Sequence, residues 1–125
     1  MNIHSVSTTT SKQAVLTKAT INLADFYGFT GKELGEILGL SEASATRLHQ
    51  GKKKISPNTK EGELALLLLR MYRSLNSLLG NNHEKARAWL NSKNQYFNQK
   101  PIDAIKTIPG LVDVVRYLDA MRGKV

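Results

Sequence analysis

Residues 30–57, TGKELGEILGLSEASATRLHQGKKKISP, hold the pattern that decides the fold. Leu34, Ile37 and Leu38 recur at helical spacing and so share one face. Thr30 suits the N-cap of that helix, and Glu33 stands at capping-box distance from it. Gly39 follows Leu38, where a helix ends best on a residue that tolerates positive φ. Ser41 suits the cap of a second helix, Glu42 to about Gln50, with Ala45 and Leu48 facing inward. Gly51 closes it, and Lys52, Lys53 and Lys54 follow at once. Two short helices, a glycine turn, small outward side chains and a basic tail make a helix-turn-helix pattern. The competing reading is an ordinary helical hairpin with a solvated lysine run.

The charge balance favours the first reading. The chain of 125 residues has 18 Lys and Arg against 10 Asp and Glu, a formal charge of +8. Such a balance favours a polyanionic partner. It is also uneven. Residues 43–60 carry Arg47, Lys52, Lys53, Lys54 and Lys60 and no acid, whereas Glu33, Glu36 and Glu42 lie before them. A basic segment on and just after the second helix suits phosphate contact along a duplex. With no cysteine, disulfides and thiolate metal sites are excluded. No apolar run reaches the roughly 18 residues of a spanning helix, and the first residues lack a signal-peptide pattern. A cytoplasmic protein without a membrane segment is expected by elimination.

Taken in order, residues 1–11 are polar and rich in Ser and Thr, and are expected to be flexible. A helix from about Lys12 to Tyr27 should bury Val15, Leu16, Ala19, Leu23 and Phe26. After the motif, Ser56-Pro57-Asn58 reads as a turn or helix start. Glu61 to Leu79 then reads as a strong helix. Its leucines cover nearly the whole circumference, so it needs a second burial partner, either a homodimer mate or the C-terminal segment. Asn82 should cap a helix from His83 to about Asn91, with Ala86, Trp89 and Leu90 on its apolar face. A polar loop follows around Tyr96 and Phe97. Pro101 suits the start of a short helix. A last helix, opened by Ile108-Pro109-Gly110 with Thr107 as cap, should bury Leu111, Val114, Val115, Leu118 and Met121. No stretch alternates with period two, so the chain reads as all-α. The expected organisation is a flexible 1–11, a helix-turn-helix domain over 12–60, and a helical dimerisation and partner-binding domain over 61–125.

Residues 30–57 also resemble the Xre/Cro-type repressor motif, with Leu34, Gly39, Ser41, Arg47, Leu48 and Gly51 in register. Gly35 stands where that family usually has Ala, and Ala45 where it has Val or Ile, so looser packing under the second helix is expected. Residues 86–125 resemble the toxin-binding domain of the Xre/MbcA/ParS antitoxins. Trp89-Leu90, Asn94, Phe97, Pro101, Ile102, Ile105, Thr107, Pro109 and Gly110 carry that likeness. Asn98-Gln99 replaces the family's usual glycine pair, and Lys93 stands where a proline is common. The resemblance implies an antitoxin of a RES-domain toxin that consumes NAD. It implies that the C-terminal domain occludes the toxin's active-site cleft and that the helix-turn-helix represses the operon's own promoter.

On this reading Ser41, Glu42, Ala43, Ser44, Thr46, Arg47 and Gln50 face the major groove of double-stranded DNA. Arg47 and Gln50 are the side chains suited to bidentate base contacts, and Lys52, Lys53 and Lys54 hold phosphate. The resemblance places Trp89, Tyr96, Phe97, Arg116, Arg122, Gly123, Lys124 and Val125 against the toxin. Catalysis is not expected. His4, His49 and His83 show no metal-ligand spacing, no glycine-rich phosphate loop is present, and Ser41 and Ser44 lack a base nearby. No cofactor is expected. A dimeric helix-turn-helix repressor without a toxin partner is the alternative.

Overall fold

The computed structural model describes residues 3–123, with side chains from Ser11 onward. Seven helices follow one another there: α1 (Ile3–Tyr27), α2 (Gly31–Leu38), α3 (Glu42–His49), α4 (Lys60–Leu78), α5 (His83–Asn91), α6 (Pro101–Ala104) and α7 (Ile108–Gly123). Among the described residues the only β feature is a lone bridge between Asn94 and Gln99. The architecture is all-α, with the helix-turn-helix first and a helical C-terminal half after it. No helix of the described residues is long and apolar enough to cross a membrane.

The first helix departs from expectation in length and in face. Its backbone is helical from Ile3, not Lys12, because no Gly or Pro interrupts residues 3–27. The buried stripe is Leu16, Thr20, Leu23, Ala24 and Tyr27, while Val15 and Phe26 face outward. Thr20 can take a core position because its hydroxyl donates to the Leu16 carbonyl at 2.8 Å, which leaves its polar atom satisfied.

The motif helices end where their caps dictate. Thr30 and Glu33 form a reciprocal capping box, with both bonds at 3.0 Å. Gly39 takes φ +71° at the turn, and Ser41 caps α3 by accepting from the Ser44 amide. Packing under α3 is tight, not loose. Ala45 and Leu48 are fully buried, and a Cβ on Gly35 would stand 2.8 Å from the Leu40 carbonyl oxygen. The glycine and the alanine are therefore what bring α2 and α3 so close.

Helix α4 is the centre of the core. Leu68, Met71 and Leu75 are buried, and the helix packs against α7 on one side and against α1 and α2 on the other. The C-terminal segment is thus the second burial partner that its leucines require. Helix α7 meets it with Leu111, Val114, Val115 and Leu118, while Met121 is only half-buried.

The turn into α7 explains the Thr-x-Pro-Gly run. The Thr107 hydroxyl accepts from the Gly110 amide at 3.1 Å. A Cβ on Gly110 would stand 1.8 Å from the Ala104 carbonyl oxygen, so only glycine lets α7 pass the end of α6. Gly110→Ala should therefore cost about 1–3 kcal/mol, the usual range for overpacking. Gly123→Ala, with nothing within 4 Å of its Cβ, is the control and should be close to neutral. Urea denaturation midpoints measure both, and equal midpoints would remove the proposed close approach.

Candidate functional site

Helix α3 presents Glu42, Ala43, Thr46, Arg47, His49 and Gln50 to solvent, while Ala45 and Leu48 hold it from beneath. Ser41 is committed to its cap and Ser44 is half-buried. The Thr46 hydroxyl donates to the Glu42 carbonyl at 2.9 Å. Arg47 Nη2 donates to Ser44 Oγ at 3.1 Å, which steadies the guanidinium on the exposed side and leaves most of its donors free. His49 turns away from this face to pair with Asp25 at the end of α1, 3.1 Å between Nε2 and Oδ1.

The basic tail is anchored rather than loose. The buried Ile55 amide donates to Thr17 Oγ1 at 2.9 Å, which pins the tail to α1. Lys52 and Lys54 remain exposed. Lys53 instead pairs with Glu61 in the first turn of α4, at 3.1 Å, so it is the least available of the three. Lys18 of α1 lines the same shallow groove as Lys53 and Lys54. Lys32 is exposed in the first turn of α2, whose Gly31 lies against Thr46. Neither Lys18 nor Lys32 stood out in the sequence, because only the crossing of α1, α2 and α3 brings them to this surface.

In the C-terminal half, Trp89, Tyr96 and Phe97 gather around Tyr117 of α7, their common neighbour. Tyr117 stacks on Trp89 at 6.4 Å between ring centroids and meets Phe97 at 5.2 Å and Tyr96 at 4.7 Å. Tyr96 is 70 % exposed all the same, a large aromatic held on the rim of the cluster. The loop that carries it is closed locally. Asn94 Oδ1 accepts from the Tyr96 amide at 2.8 Å, and the Asn94 amide donates to the Gln99 carbonyl at 3.0 Å. Asn98 takes φ +56°, a conformation that asparagine tolerates better than most residues and glycine better still. This is a physical reason for a glycine at the first position of that pair.

Arg116, Arg122 and Gly123 are exposed on α7. Lys124 and Val125, and the side chain of His4, lie outside the described residues. His83 stacks on Phe26 at 4.2 Å. Beside it Arg87 Nε donates to the Phe26 carbonyl at 2.6 Å and Nη2 to that of Asp25 at 3.2 Å. Lys106 reaches Glu36 of α2 and Asp103, each at 3.4 Å. Partial burial opposes its charge, but hydrogen bonds and attraction from Glu36, then Asp103, prevail and raise its pKa. These contacts join the two halves of the chain.

The exposed α3 with its basic flank and the exposed aromatic loop define a two-part helical binding protein, one part built to read DNA. Residues 8–70, half of the chain, match the family model of the antitoxin Xre-like helix-turn-helix domain. Residues 74–124 match that of the antitoxin Xre/MbcA/ParS C-terminal toxin-binding domain. The chain belongs to the Xre family of antitoxins. No curated protein matches it.

The exposed positions of α3 and its tail predict a division of labour. Arg47→Ala should reduce discrimination between operator and mismatched DNA by about 1–3 kcal/mol. Lys52→Ala should weaken binding to all sequences alike and lower the salt slope by about one. Lys53→Ala should do less, because Glu61 already neutralises it. Fluorescence anisotropy across a salt series separates these outcomes, and equal losses on specific and non-specific DNA for Arg47→Ala would rule out its base-reading role.

Proposed function

We propose that this antitoxin neutralises a RES-type, NAD-consuming toxin by binding it through the C-terminal half and covering its active site. In the same reading it represses its own operon through α3. The observation that carries this is the order of the two modules on one chain, a DNA-reading module at 8–70 and a toxin-binding module at 74–124. Trp89, Tyr96 and Phe97 with the exposed end of α7 are the toxin-facing residues in this reading. Tyr96 is the first of them to test, since it is a large exposed aromatic held by its neighbours, of a residue type enriched at interface hot spots. Ser41, Glu42, Ala43, Ser44, Thr46, Arg47 and Gln50, with Lys52, Lys53 and Lys54, form the DNA surface. The protein acts by binding in the cytoplasm, where the operon and the toxin are found, and not by catalysis.

A homodimer fits the same reading. Val15, Leu66 and Leu69 line an apolar groove of about 640 Å³ between α1 and α4, and Val15 is 68 % and Leu66 48 % exposed. Pairing through this groove would present two copies of α3 to a two-fold operator. The groove also favours the second reading, a dimeric repressor with no toxin partner.

Expression of the adjacent gene alone and together with this chain decides between them. The expected result is growth arrest and falling cellular NAD with the neighbour alone, and recovery of both on co-expression. Tyr96→Ala should weaken that recovery while leaving operator binding intact. A harmless neighbour, with operator binding retained, would leave the repressor reading in place of the antitoxin mechanism.

A further inference from the structure

Where α4 crosses α7, at the end of the bundle that carries the last turn of α7, three arginines and one aspartate line a common cleft. Arg70, Arg73 and Arg122 line a cleft of about 530 Å³ with Ser74, Asp119 and Gly123. Asp119 shows how the cleft holds an acid: it pairs with Arg70, and its Oδ1 accepts from the buried Ser74 hydroxyl at 2.7 Å. That seat uses only one of the three arginines. Arg122 makes a long 3.5 Å bond to Ser74 Oγ, and neither it nor Arg73 meets a carboxylate within 4 Å among the described residues. Three positive groups against one negative give the cleft a net positive charge.

We propose that the cleft between α4 and α7 is a second contact site for the toxin, taking one or two of its Asp or Glu side chains between Arg73 and Arg122. The proposal rests on the antitoxin reading and adds Arg70, Arg73 and Ser74 to the surface that meets the toxin. Three observations fix the chemistry. Asp119 is a carboxylate already seated in the half of the cleft nearer Arg70, and an arginine fork takes a planar carboxylate with two donors. Ser74, Asp119, Arg122 and Gly123 of the cleft all lie within residues 74–124, the part of the chain that matches the toxin-binding domain. A second copy of the chain offers fewer acids than its count suggests, because half of its ten are already committed. Asp25, Glu36, Glu61, Asp103 and Asp119 all sit in ion pairs of their own. In the open cleft, solvent screens these arginines. A protein that covers it excludes water and makes the same attraction stronger.

The test uses the full-length chain and the purified product of the adjacent gene, with binding followed by titration calorimetry at low and moderate salt. Arg73→Glu and Arg122→Glu are each expected to weaken binding by about tenfold or more, with the larger loss at low salt. Lys85→Glu, the same charge change on exposed α5, should leave it unchanged. Arg73→Gln, which removes charge without adding an acid, should give a smaller loss in the same direction and covers the case of a reversal that fails to fold. Operator binding and the helical melting curve should match the unmodified chain throughout. If both reversals bind the neighbour as tightly as the unmodified chain, the cleft is not a toxin site, although the antitoxin reading stands. If the unmodified chain does not bind the neighbour, that reading falls and the cleft falls with it. If the reversals change only sedimentation or only operator binding, the cleft belongs to a second copy or to DNA, and the proposal is overturned.

Discussion

One constraint organises the molecule: α4 is too apolar to lie on a surface. A helix with leucines around most of its circumference must be covered on several sides. It is covered by the helix-turn-helix on one flank and by α7 on the other. The two family modules are therefore not beads on a linker. They share a core through one helix. The polar contacts that cross the junction are few but placed at its edges, where Arg87 grips the end of α1 and Lys106 reaches α2.

The sequence reveals this architecture most clearly where a residue has one local job. Thr30, Gly39, Ser41, Asn82 and Pro101 each start or stop a helix by their own chemistry, and the structure uses them so. It is least clear where two faces of a helix are nearly equal in hydrophobicity. On α1 the stripe containing Val15 and Phe26 competes with one containing Thr20 and Tyr27. The second is buried because Thr20 bonds its own backbone and Tyr27 packs against Phe29 and Tyr72. No local pattern reports those distant partners.

The candidate site divides in the same way. The outward residues of α3 follow from periodicity once Ala45 and Leu48 are assigned inward. Which lysines are free does not follow, because the Lys53–Glu61 pair depends on how the tail turns into α4. Tyr117 is hidden for a similar reason. It sits on α7 among residues that read as core or solvated, and becomes the centre of the aromatic cluster only when α7 packs back beside α5 and the loop. The Asn98-Gln99 exchange shows the reverse case, a departure from family habit that leaves the loop intact because asparagine accepts the left-handed backbone.

Helix α4 also links the basic tail to the arginine cleft. Glu61 in its first turn holds Lys53, and Arg73 lies twelve residues on. At the rise of an α-helix that separation is about 18 Å. Charges so far apart at a solvated surface interact weakly, since the screening length at physiological salt is about 8 Å. An acid arriving at Arg73 would therefore not alter the DNA surface through its field. It would have to act mechanically, by shifting α4 against α1 and α2. Packed cores resist such shifts unless a second arrangement of similar energy exists. The tight seat of α4 against α7 and the contacts of Arg87 and Lys106 favour one arrangement. A partner seated at the cleft would thus leave the shape of α3 as it is.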